Sequence, residues 1–223
     1  MRRRRKETNY WMSYADLMSA MLMVFVLLLS VIILDYKSDM DEKQAQIDAV
    51  TKVKSNIIAD LTEEFKGSNM NIEVDPQTGA IRFPGNILYQ VDSSELSLEG
   101  KQFLREFVPK YFGIILQDKF KEEISSIIVE GHTDKEGSYL YNLNLSQSRA
   151  FSVVKEIYDK EFVNFPEKEI SKDYLTSNGR SFMVPINKED GSYNPEKSRR
   201  VEFLFRLKEE KRIEELQKLV SEE

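Results

Sequence analysis

The strongest pattern in the chain is an uninterrupted apolar run from Leu17 to Leu34, LMSAMLMVFVLLLSVIIL. The aromatic residues Tyr10, Trp11 and Tyr14 precede it, and such amphipathic rings favour the headgroup zone of a membrane. Because about 20 apolar residues cross a bilayer core of roughly 30 Å, residues 11–34 are predicted to form a transmembrane helix. A cleaved signal peptide is the alternative, but no small-residue cleavage site follows the run.

Charges on either side of this run predict its orientation. Residues 1–6 read MRRRRK, whereas the chain after the run carries more acidic than basic residues. Basic residues beside a span stay in the cytoplasm, so residues 1–10 are predicted to be cytoplasmic and the chain after Leu34 to be periplasmic in a diderm bacterium. The acidic body argues against direct nucleic-acid binding. The absence of cysteine excludes disulfides, thiolate chemistry and cysteine-based zinc sites.

One ionisable residue, Asp16, lies immediately before the apolar run. A carboxylate costs about 2.5–3.5 kcal/mol at the centre of a membrane helix and less near the interface. Two interpretations are open: Asp16 marks the helix boundary, or a neighbouring subunit covers it and it carries an ion. A carboxylate in a low-dielectric site can bind and release protons near neutral pH. Ser13 and Ser19 lie on the same helix face, where their hydroxyls could support the ion.

The segment from Trp11 to Met21, WMSYADLMSAM, resembles the transmembrane signature of MotB-like stator subunits. That signature carries a Trp, an aromatic-Ala-Asp stretch, an apolar residue, Met, and Thr or Ser. The resemblance implies that Asp16 is the ion-carrying carboxylate and that a homodimer of such helices stands in the membrane inside a ring of MotA-like subunits. It further implies that the transported ion is H⁺, with Na⁺ as the alternative, and that no cofactor is bound.

Residues 35–69 are predicted to form a periplasmic helical linker. They are polar and rich in helix formers, and neither Pro nor Gly occurs before Gly67. Apolar residues recur on one helix face at three-, four- or seven-residue steps, namely at Ile47, Val50, Ile57, Leu61 and Phe65. This face fits two arrangements: a short parallel coiled coil between two chains, or a helix packed on the domain that follows.

Residues 70–207 alternate strand and helix signals, which predicts an α+β fold with helices on one face of a small sheet. The predicted elements are a hairpin around residues 76–79, a helix over 97–116, a buried strand over 124–130, a helix over 146–159 and a closing strand over 201–207. The charged residues 208–223 are predicted to form a C-terminal helix that packs on the domain or dimerises.

A second signature lies within this region, and it consists of VEGHTD at 129–134, GS at 137–138, YN at 141–142, LS at 145–146 and RA at 149–150. Together with flanking blocks at 91–96 and 198–202, it resembles the OmpA-like peptidoglycan-binding domain. The resemblance implies that Asp134 binds the ammonium group of diaminopimelate in the wall peptide and that Arg149 binds its carboxylate. Asn142 and Thr133 are the supporting candidates. A zwitterionic ligand suits this pair, since Arg grips a carboxylate through two parallel hydrogen bonds.

Less specific interpretations apply to several of these residues. Asp134 and Arg149 could form a structural salt bridge, and Arg200 could brace the sheet or the ligand loop. His132 is the only histidine, and without Cys or a second His it is a poor metal ligand, so no metal site is predicted. Ser146 is interpreted as an N-cap or ligand-loop residue, because no His or Lys base accompanies it in the motif. The sequence therefore predicts a protein that is not an enzyme.

The segments SYADLM at 13–18 and GSYLYN at 137–142 resemble the MotB-like subunits of Zorya anti-phage defence systems. That resemblance implies the MotA-like ZorA as partner. A flagellar stator subunit is the alternative, although the chain is short and lacks an obvious proline-bearing plug after the span. A passive peptidoglycan tether or envelope sensor is a third class, but a tether without ion flow has no use for Asp16.

Overall fold

The computed structural model of the protein describes residues 10–68, 70, 72–90 and 93–210, which belong to two compact units, Met1–Ala49 and Val50–Glu223. Three parts of the sequence-based predictions lie outside the described residues: the basic N-terminal segment, residues 91 and 92 of the flanking block, and the C-terminal helix beyond residue 210.

The first helix, α1, extends from Tyr10 to Phe65. Its apolar part is long and apolar enough to cross a membrane, and α1 is the one helix of this kind within the described ranges. Side chains between residues 10 and 34 are all exposed in the single chain. An apolar surface of this size is what a lipid-facing or subunit-facing helix presents.

The end of α1 belongs to the second unit, because its apolar face is part of that unit's core. Ile57, Leu61 and Phe65 are buried, and the Phe65 ring lies 5.3 Å from that of Phe107. The second unit therefore begins at Val50, well before the predicted boundary at residue 70. Of the two arrangements that the periodicity allowed, packing on the chain's own domain is the one seen for the last turns of α1.

A five-stranded mixed sheet forms the centre of the second unit, with strand order β1-β2-β5-β3-β4. The strands are β1 (Glu73–Val74), β2 (Ile81–Pro84), β3 (Ile124–His132), β4 (Leu175–Gly179) and β5 (Arg200–Leu207). The pairs β1–β2, β2–β5 and β5–β3 are antiparallel, whereas β3 and β4 are parallel. Alternate residues of β5, including Val201 and Phe203, are buried in the core, as expected for strands with one face against helices.

The remaining helices are α2 (Gly85–Leu88), α3 (Leu98–Ile115), α4 (Tyr139–Ile157) and α5 (Pro195–Ser198), with a 3₁₀ turn at Ile170–Asp173. Rings from α3 pack edge-on against the sheet, and Phe107 and Phe203 have centroids 4.9 Å apart. The predicted α+β fold, a long apolar N-terminal helix followed by a domain in which helices pack on a small sheet, is thus confirmed.

Two local predictions differ from the structure. Helix α4 begins at Tyr139, two turns before the predicted start at Ser146, because the Ser138 hydroxyl accepts a hydrogen bond from Tyr141 N and caps the helix there. Ser146 is consequently neither an N-cap nor a loop residue but is buried inside α4. Strand β4 was not predicted, since its sequence LTSNG is short and ends in residues typical of turns.

Candidate functional site

A cavity of about 310 Å³ lies where the chain leaves β3 and enters α4. The four residues predicted for the ligand site, Asp134, Arg149, Asn142 and Thr133, all line it. The other lining residues are Gly85, Asn86, Tyr89, Gln90, Glu136, Tyr141, Leu145 and Arg199. The structure therefore brings the predicted anion and cation to one cavity, as the ligand chemistry requires.

Asp134 follows the end of β3 and is largely buried. Its Oδ1 accepts a hydrogen bond from the backbone N–H of Glu136 at 3.0 Å, and its Oδ2 forms a 2.6 Å ion pair with the Nη1 of Arg199. Asp134 thus forms an ion pair with Arg199, a residue to which the sequence analysis assigned no role. Asp134 and Arg199 come together because β3 and β5 are antiparallel. His132 pairs with Arg200, so the residues just beyond that pair meet at the end of the sheet.

Arg149 is buried near the middle of α4, not in its first turns, because the helix begins early. Its Nε donates to the carbonyl oxygen of Ser93 at 2.8 Å. Its Cζ lies 5.2 Å from the ring centroid of Tyr89, within the range of a cation–π contact. These contacts orient the guanidinium at the cavity wall, and a preoriented planar fork suits recognition of a carboxylate.

Asn142 and Thr133 serve the same cavity in different ways. The Asn142 Nδ2 donates to the carbonyl oxygen of Glu136 at 2.6 Å and so closes the loop that carries Asp134. The loop turns at Gly137, whose φ of 90° is a conformation that glycine adopts without strain. Thr133 is buried, and its hydroxyl has no hydrogen-bond partner among the residues that the structure describes. A ligand in the cavity would offer that hydroxyl a partner.

The strand end and helix α4 are tied together by Ser146 and Ser181. The backbone N–H of Ser181 donates to the Ser146 hydroxyl at 3.0 Å, and the carbonyl oxygen of Ser181 accepts from Thr133 N at 3.0 Å. Ser181 has a φ of 51°, which a residue with a side chain rarely adopts. At Gly131, the helix approaches so closely that a Cβ would overlap the carbonyl oxygen of Ser146. This close packing fixes the loop relative to the helix.

Glu130, His132 and Glu202 meet on the sheet face opposite the core, with Nε2 of His132 3.7 Å and 3.8 Å from the two carboxylates. Burial, together with the charge of Arg200, lowers the pKa of His132 to about 3, so the imidazole is neutral. Glu202 is paired with Arg200 at 2.5 Å and with Arg82 at 2.9 Å. These arginines compensate the charge of the Glu202 carboxylate. Arg200 therefore braces the sheet, which is one of the interpretations that the sequence allowed.

In the first unit, Asp16 lies on α1 together with Ser13 and Ser19, and all three are exposed in the single chain. The Ser19 hydroxyl donates to the backbone carbonyl oxygen of Asp16 at 2.9 Å instead of to its carboxylate. The ion-carrying role of Asp16 and the supporting roles of the serines remain predictions.

Comparison with known proteins matches residues 2–47 to the family described as membrane MotB of the proton-channel complex MotA/MotB. The chain is 29% identical over 210 residues to the Zorya protein ZorB of Escherichia coli ATCC 8739, covering 89% of this chain and 88% of that protein. It is also 29% identical over 213 residues to ZorB of Escherichia coli O139:H28, covering 92% and 84% of the two chains.

Solved structures with a similar fold include a MotB-like protein from Desulfovibrio vulgaris, with a TM-score of 0.48 at 18% identity over 73% of this chain and 93% of that one. Another is the OmpA-like domain of FopA1 from Francisella tularensis, with a TM-score of 0.37 at 19% identity over 61% and 80% of the two chains.

The chain thus joins a helix that is long and apolar enough to cross a membrane to a mixed α/β domain, and residues 2–47 match the membrane MotB family. Over most of its length, the chain is similar to ZorB.

Proposed function

We propose that this protein is the B-type subunit of a proton-driven inner-membrane complex that is anchored to peptidoglycan and acts in Zorya-type anti-phage defence. The observation that carries the proposal is the position of Asp16. It is an ionisable residue at the start of the apolar part of α1, inside the segment that matches membrane MotB. A carboxylate at such a depth is costly unless a partner covers it, so it is expected to serve ion transfer.

The MotA-like subunit ZorA is the proposed partner, and two copies of this chain would stand inside a ring of it. The N-terminus would lie in the cytoplasm, because the basic residues 2–6 precede the span. The second unit would then lie in the periplasm, where it can reach the cell wall.

Anchoring to the wall would use the cavity of the second unit. Asp134 supplies a carboxylate and Arg149 a guanidinium at the same cavity, and the ammonium and carboxylate groups of diaminopimelate complement this pair. Asn142 holds the loop, and the hydroxyl of Thr133 offers a further hydrogen bond. With the domain held, the two chains could not rotate with their partners.

Proton transfer at Asp16 would then do mechanical work on the ring. A proton from the periplasm would neutralise the carboxylate, and its release to the cytoplasm would restore the charge. Each change alters the contact between Asp16 and the surrounding subunits. One charge that crosses 100 mV releases about 2.3 kcal/mol, which matches typical coupling energies between protein states.

The test is Asp16→Asn in cells that carry the complete operon, with Asp35→Asn as the matched control in the same helix beyond the apolar run. Loss of phage protection with Asp16→Asn at unchanged membrane levels, and full protection with the control, is the expected result. Loss of motility instead would identify a flagellar stator subunit. If neither phenotype changes while Asp134→Ala and Arg149→Ala release the protein from peptidoglycan, the chain is a passive tether.

A further inference from the structure

Arg199 has a more exposed side chain than the neighbouring arginine, Arg200. Its side chain is 44% exposed, and its Nη1 forms a 2.6 Å ion pair with Oδ2 of Asp134 in the cavity. The next residue, Arg200, is buried and bonded to Glu202 and to the carbonyl oxygens of Val184 and Ser198. The Asp134 side chain of this pair is only 11% exposed, so its carboxylate needs a cation, and Arg199 can give up the bond where another cation takes its place.

Because of this ion pair, Arg199 would compete with an incoming ligand for Asp134. Asp134 is the group proposed to take the ligand's ammonium, and its Oδ2 is already bonded to Arg199. An ammonium that approaches this oxygen competes with the guanidinium. Once displaced, Arg199 remains at the rim of the same cavity without its carboxylate, and a second anionic group on the ligand would restore its charge balance.

The charges of the lining residues agree with a ligand that carries two carboxylates. Among the lining residues that the structure describes, two carry guanidinium groups, Arg149 and Arg199. Two of these described residues carry carboxylates, Asp134 and Glu136; the latter is exposed and turns its backbone N–H and carbonyl oxygen to Asp134 and Asn142. A single zwitterionic amino-acid end would satisfy Asp134 and Arg149 and leave Arg199 unmatched.

We propose that Arg199 is a specificity-determining residue: it exchanges Asp134 for a second carboxylate of the wall peptide, so that the cavity selects stem peptides in which that carboxylate is not amidated. This inference rests on the proposed peptidoglycan-binding function. The second carboxylate is either the one on the residue before diaminopimelate or the one at the peptide's C-terminus, and these two sources share the same chemistry.

The experiment is calorimetric titration of the full-length protein in detergent with a synthetic diaminopimelate tetrapeptide and with two analogues, each amidated at one of the two carboxylates. The variants are Arg199→Gln and, as a matched control, Arg105→Gln, an exposed arginine on α3 that does not line the cavity. We expect Arg199→Gln and one of the amidations each to lower the affinity about tenfold, a typical loss for a charge-assisted bond. When Arg199→Gln is titrated with that amidated analogue, the affinity should be no lower than with either change alone.

The pattern of losses separates the outcomes. The amidation that no longer matters in Arg199→Gln identifies the source of the carboxylate. Equal losses for all three ligands would show that Arg199 only positions Asp134, and unchanged affinities would show that it does not contribute; either result overturns the inference. If the wild-type protein binds none of the peptides and Arg149→Ala still retains peptidoglycan, the proposed anchoring function itself is wrong.

Discussion

Tyr89 and Arg149 are joined at two places: the tyrosine hydroxyl donates to the carbonyl oxygen of Arg149 at 2.6 Å, and the tyrosine ring lies under its guanidinium at 5.2 Å. Tyr89 is buried, and burial raises the pKa of its hydroxyl, which stays protonated as a donor. One side chain therefore fixes both the backbone and the charged end of the residue proposed to bind the ligand's carboxylate.

Tyr89→Phe and Tyr89→Leu separate these two contacts. Phe retains the ring but removes the bond to the Arg149 carbonyl and the longer, 3.4 Å bond that the hydroxyl accepts from Ser152. We therefore expect a loss of about 1 kcal/mol in the free energy of unfolding and little change in peptide affinity. Leu also removes the ring, and a desolvated cation–π contact is worth up to about 2 kcal/mol, so affinity should fall several-fold further. Denaturant unfolding and calorimetric titration measure the two effects. Wild-type affinity in Tyr89→Leu would show that the ring does not orient Arg149.

The sequence predicted the elements whose periodicity was undisturbed. Helix α3 and strand β3 match their predictions closely because their apolar residues lie on one face in the expected period. The early part of α4 was missed because polar residues, among them Asn142 and Asn144, interrupt its pattern. Asn142 is nonetheless buried, since its amide closes the loop that carries Asp134.

For the candidate site, the sequence predicted the four residues of the motif but not what holds them. Asp134, Arg149, Asn142 and Thr133 lie within one short segment, so a motif can reveal them. Arg199 reaches Asp134 through the antiparallel register of β3 and β5, and such long-range pairing is not visible in a single sequence. The same holds for the tyrosine beneath Arg149, which comes from the end of α2.

Gly131→Ala tests the close approach between β3 and α4. The added Cβ would overlap the carbonyl oxygen of Ser146, and backbone on both sides leaves no flexible group to move aside. We expect a loss of about 1–3 kcal/mol in the free energy of unfolding, or more, as overpacked cores show. Peptide affinity should fall as well, because α4 carries Arg149.

Gly113→Ala is the matched control for this substitution. A Cβ at this position on α3 would meet no atom within 4 Å. Replacement of a helical glycine by alanine stabilises a protein by about 0.5–1 kcal/mol. Chemical denaturation of both variants should therefore give shifts of opposite sign. If Gly131→Ala unfolds like the wild type, the helix is free to move away from the strand and the close packing does not fix the site.

Glu202→Gln tests the ion pairs on the outer face of the sheet. Burial alone would raise the pKa of the Glu202 carboxyl, but the charge and hydrogen bond of Arg200 lower it, so the group is ionised. Its neutral replacement leaves the buried Arg200 guanidinium without an anion, which costs about 3–5 kcal/mol of stability. Glu169→Gln, which breaks an exposed pair with Lys172, should change the unfolding midpoint little. Equal midpoints for both variants would contradict a structural role of Glu202.

His132 should make the stability of the second unit depend on pH. Its pKa is 6.5 in an unfolded chain and about 3 in the folded protein, so below pH 6.5 the unfolded state binds more protons. The neutral histidine therefore costs no stability above about pH 6.5. As the pH falls from 6.5 toward 3, the free energy of unfolding decreases. The charged groups that face the imidazole are Glu130, Glu202, Arg200, Arg180 and Arg82.

His132→Gln isolates this contribution, because the variant keeps the surrounding carboxylates and guanidinium groups. Between pH 6.5 and pH 4, the wild-type protein should lose about 3 kcal/mol more of its free energy of unfolding than the variant does, from about 1.4 kcal/mol for each pH unit. Urea unfolding of the full-length protein in detergent at a series of pH values measures the difference. Parallel pH profiles would mean that the histidine is protonated between the two carboxylates in the folded state, in which case the Nε2 distances of 3.7 Å and 3.8 Å would describe an ion-paired imidazolium.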